Sequence, residues 1–162
     1  MPEDPPATVE RVELERYTGL WYEIARLPVF FQKEEDRATA VYGLNDDGTI
    51  SIINTAIAPD GSSRSVTGTA MPVEGSNNAR LKVTIDNFFA KLFSSPPDYG
   101  NYWILKLEPD YSLVLVGSPD RETLWLLARE PTIQQAKFDA FIGVAKKSGY
   151  ETEVLIVNNG DG

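Results

Sequence analysis

Eight short β-type runs, set apart by turn residues and with no helical period between them, constrain this chain more than any other feature. They are Leu20–Leu27, Arg37–Leu44, Thr49–Ala58, Arg64–Pro72, Arg80–Ile85, Tyr102–Leu107, Ser112–Val116 and Thr123–Ala128. Asn45-Asp46-Asp47-Gly48, Pro59-Asp60-Gly61, Glu74-Gly75-Ser76-Asn77-Asn78, Glu108-Pro109-Asp110 and Gly117-Ser118-Pro119-Asp120 punctuate them. Glycine, asparagine and proline supply the special dihedrals such turns need. Strands at this spacing with no intervening helix predict an antiparallel meander. Closing the meander on itself removes both exposed edges. The expected fold is therefore all-β, an eight-stranded antiparallel up-and-down β-barrel. A two-sheet sandwich with a helix cap is the alternative on residues alone.

One helix is expected after the strands, over Thr132–Lys147. Thr132 with Gln135 reads as a capping box just after Pro131. Phe138, Phe141, Ile142 and Ala145 share one apolar face. Lys146 and Lys147 complement the helix dipole, and Gly149 suits the stop. The run Val154–Val157 is a candidate ninth strand. YWILKL, LVLVG and LWLLA are apolar on both faces, which means cover on both sides, so the helix is expected outside the last three barrel strands.

Composition narrows the chemistry. Among 162 residues there is no cysteine and no histidine. That removes disulfides, thiol nucleophiles, histidine-ligated metals and haem, and any triad with an imidazole base. The net charge of −9, from 15 basic and 24 acidic residues, opposes binding to a phosphate backbone, so no nucleic-acid partner is expected. No segment approaches the ~18 apolar residues of a membrane span. Residues 1–9, with Pro2, Pro5 and Pro6 among acids, read as a disordered leader, 10–158 as one domain and 159–162 as a flexible tail. The leader fits two origins: a cytoplasmic start, or a processed bacterial chain that is periplasmic or outer-membrane-associated.

At Gly19-Leu20-Trp21-Tyr22-Glu23-Ile24-Ala25-Arg26 the chain resembles the lipocalin family, whose first strand opens with Gly-x-Trp after a short helical turn, here Val12–Tyr17. Pro109-Asp110-Tyr111 is similar to the second lipocalin motif, with proline where threonine is usual, and Arg129 in LWLLAREP to the third. The resemblance covers about Glu10–Val157 and looks strongest to bacterial lipocalins, plant temperature-induced lipocalins and apolipoprotein D. It implies a structural closed end built from Gly19, Trp21, Asp110, Tyr111 and Arg129, with the arginine packed over the tryptophan. It also implies that Tyr42, Asn54 and Trp125 line a ligand pocket. Period-two alternation from Tyr42 and Asn54 adds Ala38, Ala40, Leu44, Ile52 and Ala56 to the inward face. With the closed end at Trp21, Phe30-Phe31 and Phe88, Phe89, Leu92 and Phe93 fall in open-end loops. Phe30 and Phe89 are thus candidate ligand contacts, in loops that either plug the mouth or form a portal for transient contact with a lipid membrane.

The expected function is non-enzymatic binding and transport or storage of a small hydrophobic or amphipathic ligand, with no cofactor. The resemblance implies a fatty acid or lysophospholipid. The alternatives are a pigment or isoprenoid, such as a tetrapyrrole or carotenoid derivative, and a lipocalin-type isomerase. The thiol-dependent synthase type is excluded by the absence of cysteine. Acid–base catalysis needs two inward carboxylates, and parity with Trp21 offers only Glu23, with no obvious partner. Oligomeric state is not encoded in any pattern of the sequence.

Overall fold

The computed structural model describes residues 1–29, 36–86 and 96–159. A short helix α1 (Leu14–Tyr17) leads into β1 (Gly19–Arg26), followed by β2 (Arg37–Leu44), β3 (Ile50–Ile57), β4 (Ser63–Pro72), β5 (Arg80–Ile85), β6 (Tyr102–Leu107), β7 (Leu113–Gly117) and β8 (Leu124–Ala128). Each strand pairs antiparallel with the next, and β1 closes the ring by pairing with both β8 and β2. The expected eight-stranded barrel is formed. Where β2 peels away from β1, the short β9 (Ile156–Val157) pairs with Ala25 and Arg26. Between β5 and β6 the ladder has only two rungs, Arg80 to Trp103 and Leu81 to Tyr102. The Asn101 amide extends it by accepting from Val83 N–H at 2.8 Å and donating to the Val83 carbonyl at 3.1 Å.

Strand alternation divides the apolar residues into two cores. One fills the barrel: Trp21, Tyr42, Ile52, Ile104, Val114, Val116 and Leu127 are among its members. The other lies between the barrel wall and helix α2 (Gln135–Lys147), with Trp103, Leu105, Leu115, Leu124 and Leu126 packed against Phe141 and Ala145. Doubly apolar β6, β7 and β8 are therefore covered on both faces, and the helix sits outside them.

Two expectations are corrected. The helix begins at Gln135, not Thr132, and no side chain caps it. The reason lies at Ile133, whose N–H and carbonyl are both engaged by the Asn159 amide, at 2.8 and 3.2 Å, while Gln134 is extended. The capping box has no helix there to cap. Leu44 is 42% exposed, because it ends β2 beyond the closed end of the barrel. Before α1, Val9 N–H donates to the Ile104 carbonyl at 2.9 Å, and Arg121 Nη2 donates to the Asp4 carbonyl at 2.8 Å.

A β-bulge in β1 has the largest effect on the interior. Glu23 pairs with Leu127, Ala25 with Leu126 and Arg26 with Trp125, so Ile24 is the extra residue. Ile24 and Ala25 both belong to the outer core. Trp21, Glu23 and Arg26 consequently share the inward face, and simple alternation would have turned Arg26 outward.

Candidate functional site

The closed end is built first by the chain. Val12 N–H donates to the Asn77 carbonyl, Asn78 Nδ2 to the Val12 carbonyl, and Glu13 N–H to the Tyr111 hydroxyl, so the segment before α1 ties together the turns after β4 and β6. The Arg129 guanidinium carbon lies 3.8 Å from the centroid of the Trp21 ring, and its nitrogens donate to the carbonyls of Tyr111, Leu20, Arg16 and Thr18. Trp21 Nε1 donates to the Tyr17 carbonyl at 2.8 Å. Gly19 has φ of 105°, and a Cβ there would lie 3.3 Å from Arg129 Nη1, which explains a glycine before the tryptophan. Asp110 Oδ1 accepts from the Ser112 N–H and hydroxyl, and these bonds hold its carboxyl below the usual carboxylate range. Pro109 leaves this turn intact and offers its carbonyl to Arg16 Nη2.

Above this floor, the registers of β2, β3 and β4 stack the inward residues in rows. Above the Leu44–Ile50–Ala70 rung that borders the closed end, Tyr42 pairs with Ile52 and Ile52 with Gly68; next come Ala40, Asn54 and Val66; next, toward the mouth, Ala38, Ala56 and Arg64. The lowest of these rows is filled. Tyr17 and Tyr102 hydroxyls lie 2.6 Å apart, and Tyr102 donates to Tyr42 at 3.0 Å. Tyr102 has one proton to give, so Tyr17 donates to Tyr102, and Tyr42 keeps its own proton. Those three rings, with Ile50, Ile52 and Leu81, surround a void of about 10 Å³. A void that size holds one water molecule at most. Burial pushes the Tyr42 phenol up to about 12 and raises Tyr17 and Tyr102 as well.

The middle row sets a small side chain beside a polar one. Ala40 is buried and small, and Asn54 is half-buried. Trp125, half-buried, stands beside Arg26 on the facing wall. Here the bulge places an ion pair: Arg26 Nη1 lies 2.7 Å from Glu23 Oε2, with side chains 0% and 3% exposed. Glu23 thus has a partner that the parity reading did not supply. At the mouth, fully buried Asp36 meets Arg64, Nη2 to Oδ2 at 2.6 Å. The Asp36 carbonyl accepts from Arg26 Nη1 and Asn158 Nδ2, each at 3.3 Å.

Of the residues singled out in the sequence, Tyr42 and Ile52 line the filled lower row, whereas Ala40, Asn54 and Trp125 surround the middle of the barrel. Phe30 and Phe89, like Phe31, Phe88, Leu92 and Phe93, lie outside the described residues. Sequence reasoning missed Tyr17, Tyr102, Arg26, Asp36 and Arg64. Tyr102 was legible as an inward residue of YWILKL; Arg26 was not, because nothing in Glu-Ile-Ala-Arg marks a bulge.

Comparison with known proteins decides the family. Residues 12–159 match the lipocalin-like domain. The chain belongs to the lipocalin family. Among curated lipocalins it is 37% identical over 150 residues to the outer membrane lipoprotein Blc of Vibrio cholerae, covering 91% of this chain and 82% of that protein. It is 34% identical over 149 residues to temperature-induced lipocalin-1 of Arabidopsis thaliana, covering 91% and 78%. Bovine apolipoprotein D is 26% identical over 160 residues, covering 95% and 80%. Among solved lipocalin-like structures, lobster apocrustacyanin A1 superposes with a TM-score of 0.66 at 16% identity, over 100% of this chain and 94% of that one. Membership of the lipocalin family implies binding of a small hydrophobic ligand.

Proposed function

We propose that this lipocalin binds and carries a single-chain amphiphile, a fatty acid or lysophospholipid, with its tail in the barrel and its head at the mouth. The observation that carries this reading is the polarity gradient along the inward rows of β2, β3 and β4. Tyrosine, isoleucine and glycine lie lowest, alanine, asparagine and valine above them, and two alanines with an arginine at the mouth. A mostly apolar interior with a few placed polar groups suits a ligand that is itself apolar at one end and polar at the other. The interior charges of Glu23, Arg26, Asp36 and Arg64 weigh against a wholly apolar isoprenoid. The ligand leaves unchanged in this reading. Among the described residues, the buried carboxylates of Glu23 and Asp36 are each engaged by an arginine, which weighs against a proton-transfer role.

Fluorescence titration tests the proposal. Palmitate or a lysophospholipid should change tryptophan emission with a dissociation constant below about 100 µM, an affinity of at least ~5 kcal/mol. Trp125→Phe should remove most of that signal. Asn54→Leu should weaken amphiphiles more than hydrocarbons of equal length, because an unpaired polar group costs about 1–3 kcal/mol. An unchanged signal in Trp125→Phe, or no binding in that range, contradicts the proposal. Recovery of chemically altered ligand contradicts the carrier role.

A further inference from the structure

The pair Asp36–Arg64 is oddly placed for a structural ion pair. Asp36 is wholly buried, while 48% of the Arg64 side chain is exposed, so the guanidinium covers the carboxylate and keeps an open side at the mouth. Burying a carboxylate for stability alone gains little, since an apolar substitute of similar volume is often neutral or better. The arrangement does fix one thing, the position of the guanidinium. Asp36 is anchored through its own carbonyl by Arg26 and Asn158, and its Oδ2 grips Arg64 Nη2 at 2.6 Å. Arginine carries five N–H donors in a rigid fork, so one used on Asp36 leaves others for a second oxyanion. The neighbours along the inward row are Ala56, directly opposite Arg64, and Ala38 beyond it. Along this row the guanidinium is flanked by methyl side chains only.

We infer that Arg64, held by Asp36, is the head-group site of the barrel and reads an oxyanion, the carboxylate or phosphate end of a single-chain amphiphile. This rests on the carrier reading above and adds to it a named residue and a charge preference. The tail then runs from Arg64 past Val66 and Asn54 toward the tyrosine row. From the Arg64 row to the Gly68 row is four residues, about 13 Å along the strand. The tyrosines form the floor, so a sixteen-carbon tail whose head meets Arg64 must fold back within the barrel.

The test compares three probes of equal chain length, palmitate, hexadecyl phosphate and hexadecanol, on the parent protein, Arg64→Gln and Arg64→Lys. The parent should bind the anions about tenfold or more tighter than the alcohol, as a charge-assisted hydrogen bond implies. That preference should shrink with added salt. Arg64→Gln should abolish it; taking the cation from buried Asp36 should also lower the melting temperature, but hexadecanol affinity should fall far less than that of the anions, and Arg64→Lys should restore part of the preference. A preference for one anion over the other identifies the carboxylate or the phosphate as the head that is read. If all three probes bind the parent equally, or the preference survives Arg64→Gln, the head-group assignment is wrong and the carrier reading stands. If hexadecanol weakens as much as the anions, Arg64 acts through the barrel and the assignment also fails. If no probe binds the parent, the carrier reading itself fails and takes this inference with it.

Discussion

Replacing Trp21 tests whether the closed end holds the barrel together. Its side chain is fully buried, and alanine there leaves a cavity in a site lined by Tyr17, Ala40 and Arg129. Loss of a buried aromatic costs about 3–5 kcal/mol. The ring also supplies the face beneath the Arg129 guanidinium, a cation–π contact worth about 0.5–2 kcal/mol. Its N–H satisfies the buried Tyr17 carbonyl, whose orphaning adds about 1–3 kcal/mol. These contributions overlap, so the expected loss for Trp21→Ala is about 4–6 kcal/mol, a large part of the total for a domain this size. Trp21→Phe keeps most of the burial and the aromatic face but not the N–H, and should lose about 1–3 kcal/mol. Equilibrium urea unfolding measures both. A loss below about 1 kcal/mol in Trp21→Ala would refute the reasoning. If that variant does not fold, the Trp21→Phe value and its coupling to Arg129→Lys decide, and zero coupling would remove the cation–π contact from the account.

The tyrosine row predicts an alkaline weakness. Tyr42 has its phenol raised from 10.0 to about 12, so its contribution is fully present below pH 10 and is lost as pH rises through about 12. In that window urea-unfolding stability should fall by about 1.4 kcal/mol per pH unit for each such phenol, and Tyr42→Phe should flatten part of the slope. Tyr150, which follows α2, donates to the buried Ser118 carbonyl at 2.6 Å. Tyr150→Phe should cost about 1–3 kcal/mol in the same assay. Gly117→Ala should be at least as damaging, because its Cβ would sit 2.7 Å from Tyr150 Cζ.

Much of the fold was legible because its punctuation is local. β2 runs over Arg37–Leu44 as read, and β5 and β6 keep both their ends, since asparagine, glycine and proline mark the turns around them. The position of α2 was legible from β7, where Leu113 and Leu115 join the outer core and Val114 and Val116 the inner one. Its start was not, because a capping-box pattern cannot report a distant asparagine holding Ile133. The interior was half legible. Alternation places Tyr42, Ala40 and Asn54 on one face, but a single extra residue at Ile24 reverses parity for Arg26. Asp36 and Arg64 meet only through the combined registers of three strands, information that no window of the sequence contains.

The central claim is that one amphiphile occupies the barrel. Native mass spectrometry of the full chain with excess palmitate tests it most directly. The account predicts a single adduct of one palmitate per chain, displaced by hexadecyl phosphate and weakened in Arg64→Gln. Several palmitates bound with no preferred stoichiometry, or no adduct at all, would contradict it.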